Sequence, residues 1–124
     1  MGILGIGIDS IAIERIEHSH ERFGEQFIHR VYTSNEYVLA KQKGLARRLA
    51  MFFAAKEAVA KALGTGFIGF GMRDVEVSYL ESGKPEIILH AGAKERALQL
   101  GALHMHLSLT DDDGTATAFA IAES

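Results

Sequence analysis

The sequence predicts an α+β domain, with helices in its first half and a largely antiparallel sheet built from the N-terminal strand and hairpins in its second. Three observations carry that reading. Apolar side chains recur at helical spacing through residues 45–63, closed by Gly64. From residue 74 onward they alternate at period two between short glycine-containing turns. The 124 residues suit one compact domain, residues 1–124, large enough to bury a core without staples.

The elements follow in order. "ILGIGID" sets Leu4, Ile6 and Ile8 on one face and reads as a strand ending at Asp9, with Gly5 and Gly7 marking a close approach by another element. Ile13, Ile16, Phe23 and Phe27 fit one or two short helices before Tyr32. Thr33 or Ser34 caps the next helix, with Glu36 placed for a capping box and Gly44 as its stop. The alanine-rich helix then runs from about Leu45 to Gly64. "DVEVSYLE" and "PEIILH" form a hairpin across Ser82-Gly83-Lys84. A short amphipathic helix ends at Gly101. "LHMHLSLT" sets Leu103, Met105, Leu107 and Leu109 against His104, His106, Ser108 and Thr110, and "DDDG" turns it into the last strand, "TATAFAIAE".

Composition excludes several classes. With no cysteine there is no disulfide, thiolate metal site or cysteine nucleophile, which fits a reducing, cytoplasmic setting. No apolar run is long enough to span a membrane, and the N-terminus lacks the basic region of a signal peptide. A net charge of −3 argues against nucleic acid as a partner. The charge is uneven: residues 1–66 carry nine Lys/Arg against seven Asp/Glu, and residues 67–124 carry four against nine. An acidic or phosphorylated partner would meet the first half.

Asp9 closes an apolar strand, where it serves either as a cap or as a side chain offered to a ligand. Glu57 and Lys61 are four apart on one helical face, which by itself describes a modest surface pair. Their neighbours are nearly all small or apolar, and buried charges need partners. Gly64-Thr65-Gly66 then offers backbone N–H groups and a hydroxyl beside Lys61, a combination suited to phosphate oxygens, although it is no Walker loop. Asp9 and Glu57 together would suit Mg²⁺, which takes one or two carboxylates plus waters and phosphates. His104 and His106 share a strand face but lack a third zinc ligand.

"GIGIDSIAIERI", "RVYTSNEY", "FFAAKEAVAKALGTGF", "DVEV…GKPEI" and "GALHMHLSLTDD…TATAFAIAE" resemble, in order, the blocks of the holo-[acyl-carrier-protein] synthases, the short single-domain 4′-phosphopantetheinyl transferases. The resemblance covers essentially the whole chain. It implies that family's fold and its reaction: the 4′-phosphopantetheine arm of coenzyme A moves to a serine of an apo acyl carrier protein, in support of fatty acid biosynthesis, and adenosine 3′,5′-bisphosphate leaves. It implies Mg²⁺ held by Asp9 and Glu57, Lys61 on the phosphates, and Gly64, Thr65 and Gly66 lining coenzyme A, with Asp9, Glu57 and Lys61 as the catalytic set. It also implies carrier docking at Arg15, to which Arg22 is added by looser analogy, and a homotrimer with sites between subunits.

Three positions depart from the pattern. Phe52 stands where a basic residue is usual before F-A-x-K-E-A, leaving Arg47 or Arg48 to make any lost phosphate contact. Ser10 replaces an aliphatic residue, and Asp111 occupies the position of a usual histidine. Two other functions fit the same residues: a catalytically weak oligomeric module binding coenzyme A or a carrier, and a different metal-dependent phosphoryl enzyme.

Overall fold

The computed structural model describes residues 2–124. The chain runs β1 (Ile3–Ala12), α1 (Ile13–Phe23), α2 (Glu25–Val31), α3 (Ser34–Gln42), α4 (Leu45–Ala62), a 3-10 turn (Met72–Asp74), β2 (Val75–Tyr79), β3 (Pro85–Leu89), α5 (Ala91–Leu100), β4 (His104–Asp112) and β5 (Thr115–Glu123). The α+β prediction holds, with one refinement. The strands form two antiparallel sheets, β1-β5-β4 and the β2-β3 hairpin.

β1 continues three residues past Asp9, because β5 offers partners all the way to Ala12, opposite Thr115. Asp9 is therefore a residue within a strand, paired with Ala118, and not a loop cap. The apolar face of β1 also points outward: Ile6 and Ile8 are 60% and 58% exposed. Gly5 and Gly7 occupy the inward face. A Cβ on either would lie 1.8 Å from a carbonyl oxygen of α4, that of Ala62 for Gly5 and of Ala58 for Gly7. Only glycine permits this contact, so β1 lies with its backbone against the helix.

α4 is the central element. Leu49, Phe52, Ala54, Ala55, Ala58 and Val59 are all fully buried. The alternating alanines of β5, Ala116, Ala118, Ala120 and Ala122, are buried as well, and small residues on both elements let helix and sheet approach closely. α3 begins as expected. Thr33 Oγ1 accepts from the Glu36 amide while Glu36 Oε1 accepts from the Thr33 amide, a complete capping box.

On β4, Leu107 is buried and Met105 and Leu109 pack against the core, whereas Leu103 lies just outside the strand and is exposed. The β4–β5 turn is shorter than "DDDG": Asp111 and Asp112 still pair, and Asp113 and Gly114 take the positive φ values of a two-residue hairpin loop.

Candidate active site

The glycine contacts set the geometry of the site. Gly5 meets Ala62 and Gly7 meets Ala58, so β1 runs antiparallel to α4, two strand residues for every four helix residues. Those steps match, at about 6.7 Å for the strand and about 6 Å for the helix. Glu57 and Lys61 each precede one of these alanines and so form a row along the edge of the contact. Continuing inward from Gly7 at period two, the next strand residue is Asp9.

Lys61 Nζ lies 3.2 Å from Asp9 Oδ1 and donates to the Ile8 carbonyl at 2.9 Å. Lys61 is therefore paired with the strand carboxylate and not with Glu57, the partner that i,i+4 spacing alone suggests. Burial raises the Glu57 carboxyl above its ordinary value, the nearby Asp9 charge raises it further, and Lys61 partly offsets both. Asp9, some fifty residues away in the chain, thus joins Glu57 and Lys61 in one electrostatic cluster.

The donor set fits a hard cation. The Asp9 charge acts on the Glu57 carboxyl, and among the described residues no group of three or more His, Cys, Asp or Glu forms a metal cluster. That leaves most of an octahedron to water and phosphate oxygens, as Mg²⁺ prefers, and is too few ligands for a structural zinc.

The Gly64-Thr65-Gly66 turn differs from the expectation. The Gly64 amide donates to Lys61 O at 3.0 Å and the Gly66 amide to Ala60 O at 3.2 Å. Both cap the open carbonyls at the end of α4, which otherwise lack partners. The Thr65 hydroxyl donates to Gly66 O at 3.0 Å. The amides of Gly64 and Gly66 are therefore committed, and the turn offers an anion less than its composition suggests.

The departures also have places. Phe52 is fully buried and its ring stands 6.1 Å from that of Tyr79, so this position packs the core. Arg47 pairs with Asp111 at 3.2 Å. Arg48 donates to Leu39 O at 2.7 Å and lies over the Tyr79 ring. Ser10 exchanges a hydrogen bond with Thr117 across β1 and β5. Arg15 and Arg22 are exposed, seven apart on one side of α1, with Arg22 over the Phe23 ring and neither in an ion pair among the described residues. His106 pairs with Glu123 at 2.8 Å, and among the described residues His104 joins no cluster of three or more metal-ligating side chains.

Sequence reasoning missed the pairing of Lys56 with Glu36. Both side chains have zero exposure. Lys56 Nζ donates to Glu36 Oε1 (2.7 Å), Met72 O (3.0 Å) and Val75 O (2.6 Å), and Glu36 Oε2 accepts from the Val77 amide (2.8 Å). A lysine set among Phe52, Phe53, Ala54, Ala55 and Ala58 was the available signal; Glu36 was concealed by its second role as a helix cap.

A sequence profile of the 4′-phosphopantetheinyl transferase superfamily matches residues 5–122. The chain belongs to this superfamily. Among the transferases, the holo-[acyl-carrier-protein] synthase of Nitratidesulfovibrio vulgaris strain DP4 is 45% identical over 98% of this chain and 99% of the relative. The crystal structure of the Neisseria meningitidis holo-[acyl-carrier-protein] synthase superposes with a TM-score of 0.91 at 35% identity, covering 99% of this chain and all of that one. The Helicobacter pylori synthase, solved in complex with coenzyme A, gives a TM-score of 0.85 at 34% identity over 95% of this chain and 99% of the other.

Proposed function

We propose that the cluster of Asp9, Glu57 and Lys61 is the active site of a 4′-phosphopantetheinyl transfer. The chain moves the 4′-phosphopantetheine group from coenzyme A to a serine of apo acyl carrier protein, giving holo carrier and adenosine 3′,5′-bisphosphate. The observation that carries this reading is the convergence of Asp9, Glu57 and Lys61 within a chain of this superfamily.

In this proposal Asp9 and Glu57 hold Mg²⁺, which when bound supplies Lewis-acid charge on the pyrophosphate and holds it in place. The ammonium of Lys61, fixed by Ile8 O, neutralises charge on the phosphate oxygens as it builds. The serine oxygen bonds to the β-phosphorus and the bond from that phosphorus to the pyrophosphate bridge breaks. The bisphosphate takes the bond electrons, and the serine proton passes to Glu57 or to a water that it holds. Gly64, Thr65 and Gly66 line the nucleotide, more by their close-fitting backbone than by free amides.

Arg15 and Arg22 fit an acidic carrier. Beside them a groove of about 440 Å³, lined by Phe23, Phe27, Phe53 and Arg30, combines apolar surface with positive charge. The outward face of β1 and β5, with Ile6, Ile8, Phe119 and Ile121, suits burial in a homotrimer. No described helix is long and apolar enough to cross a membrane. A cytoplasmic setting belongs to the same proposal.

The test is the mass of an apo acyl carrier protein after incubation with this protein, coenzyme A and Mg²⁺. The phosphopantetheine increment is expected with wild type and lost with Asp9→Ala and with Glu57→Gln. Wild-type rates in both variants would overturn the assignment. Phosphate release from nucleotides with no carrier present would favour a different phosphoryl enzyme.

A further inference from the structure

Arg96 lies on α5, outside every motif discussed above, yet it reaches the turn that follows α4. Its Nε donates to Leu63 O at 2.9 Å. Its Nη2 lies beside Gly64, 3.4 Å from where a Cβ on that residue would stand. α5 holds the far side of the same loop too. A Cβ on Gly92 would come within 2.1 Å of Gly69 O, so helix and loop are in backbone contact. One helix therefore braces the segment between Leu63 and Phe70 at two points.

A basic side chain on a helix C-terminal carbonyl is a common cap. Here the cap uses Nε and leaves the two Nη groups without a hydrogen bond or ion pair among the described residues. Those groups form the fork that recognises phosphate through paired charge-assisted bonds. The amides of Gly64 and Gly66 are meanwhile committed to α4. The uncommitted cationic donors next to this turn are thus those of Arg96.

We infer that Arg96 is a nucleotide-binding residue, holding the Gly64–Gly66 turn through Nε and offering its Nη fork to a phosphate of the adenosine bisphosphate portion of coenzyme A. This rests on the proposed placement of the nucleotide beside that turn. It adds affinity and takes no part in the chemical step, because Arg96 reaches the turn from α5, whereas Lys61 is directed to Asp9 on β1.

The experiment is calorimetric titration of the full chain with adenosine 3′,5′-bisphosphate and Mg²⁺, paired with carrier-modification kinetics. Arg96→Gln should weaken bisphosphate binding about tenfold and raise KM for coenzyme A similarly, with kcat within about twofold. KM for the carrier should be unchanged. Arg96→Lys should recover part of the affinity as a point charge without the fork. Wild-type bisphosphate affinity in Arg96→Gln overturns the inference. So does an equal loss in the Gln and Lys variants that follows a lowered Tm, because that is the signature of a structural cap alone. If wild type binds the bisphosphate through Arg96 yet modifies no carrier, the transfer proposal fails and Arg96 keeps its role. If wild type modifies carrier and Arg96→Gln binds normally, the reverse holds.

Discussion

Lys56 and Glu36 meet at 2.7 Å with both side chains fully enclosed, and between them they join α3, α4, β2 and the 3-10 turn. Burial pushes the Glu36 carboxyl up and the Lys56 ammonium down, while each partner's charge opposes the shift of the other. Every donor of Lys56 is matched, which is what makes the pair tolerable in the core. Lys56→Met should destabilise the chain by about 3–5 kcal/mol, because Glu36 then stays buried without its counter-charge. Adding Glu36→Gln to that variant should recover part of the loss. Urea unfolding of the two variants checks this, and a double variant no more stable than Lys56→Met would contradict it.

Gly7→Ala should be costly for its size. The added methyl would meet the Ala58 carbonyl, part of a helix backbone that cannot turn aside. Overpacking of this kind costs about 1–3 kcal/mol and sometimes more. The variant should unfold earlier on heating and bind Mg²⁺ more weakly, since β1 carries Asp9. Gly2→Ala, where nothing lies within 4 Å of the new methyl, is the matched control and should change neither.

In the proposed reaction, the raised Glu57 carboxyl predicts the sign of a pH dependence. Its carboxyl is raised, so the proton competes with the metal at a higher pH than for an ordinary glutamate. The Mg²⁺ concentration for half-maximal activity should rise as pH falls through that raised value, by up to about tenfold per pH unit. In the metal-free chain the linkage runs the other way. A raised carboxyl contributes its stability below its unfolded value and loses it as pH rises through its folded value. Glu57→Gln should therefore raise the Tm of the metal-free protein at neutral pH while abolishing transfer. A lower Tm in that variant would count against a carboxyl raised by burial and by the Asp9 charge.

Ile8→Lys tests the outward sheet face. Ile8 sits opposite Phe119, and both are exposed in the single chain. A charge there should leave the monomer fold intact but shift the sedimentation coefficient from that of the proposed trimer to that of a monomer. Carrier modification should fall with it if sites lie between subunits. An unchanged coefficient would remove this face from the assembly.

The helices, the hairpin, the capping box and the closing strands were legible because each has a local signature, such as Thr33 with Glu36 or the alternation from Met105 to Leu109. The facing of β1 was not. Period two shows that Ile6 and Ile8 share a side, but which side turns inward depends on α4, which is some fifty residues away in the chain. Gly5 and Gly7 announced a close approach without naming what approached. The convergence of Asp9 with Lys61 rests on the same contact, so spacing alone could not supply it. The commitments of the Gly64 and Gly66 amides were hidden because composition does not say whether a helix end has already used its donors.

The glycine joint between β1 and α4 has one further property. Two backbones in contact have no flexible side chains between them to deform by degrees, so the joint has a single seat. Sliding the strand by one residue would drive a side chain into the helix. The distance between the two carboxylates is thus set in discrete steps. Warming should not blur it gradually; the site should keep its geometry up to the unfolding transition and lose it there together with the fold.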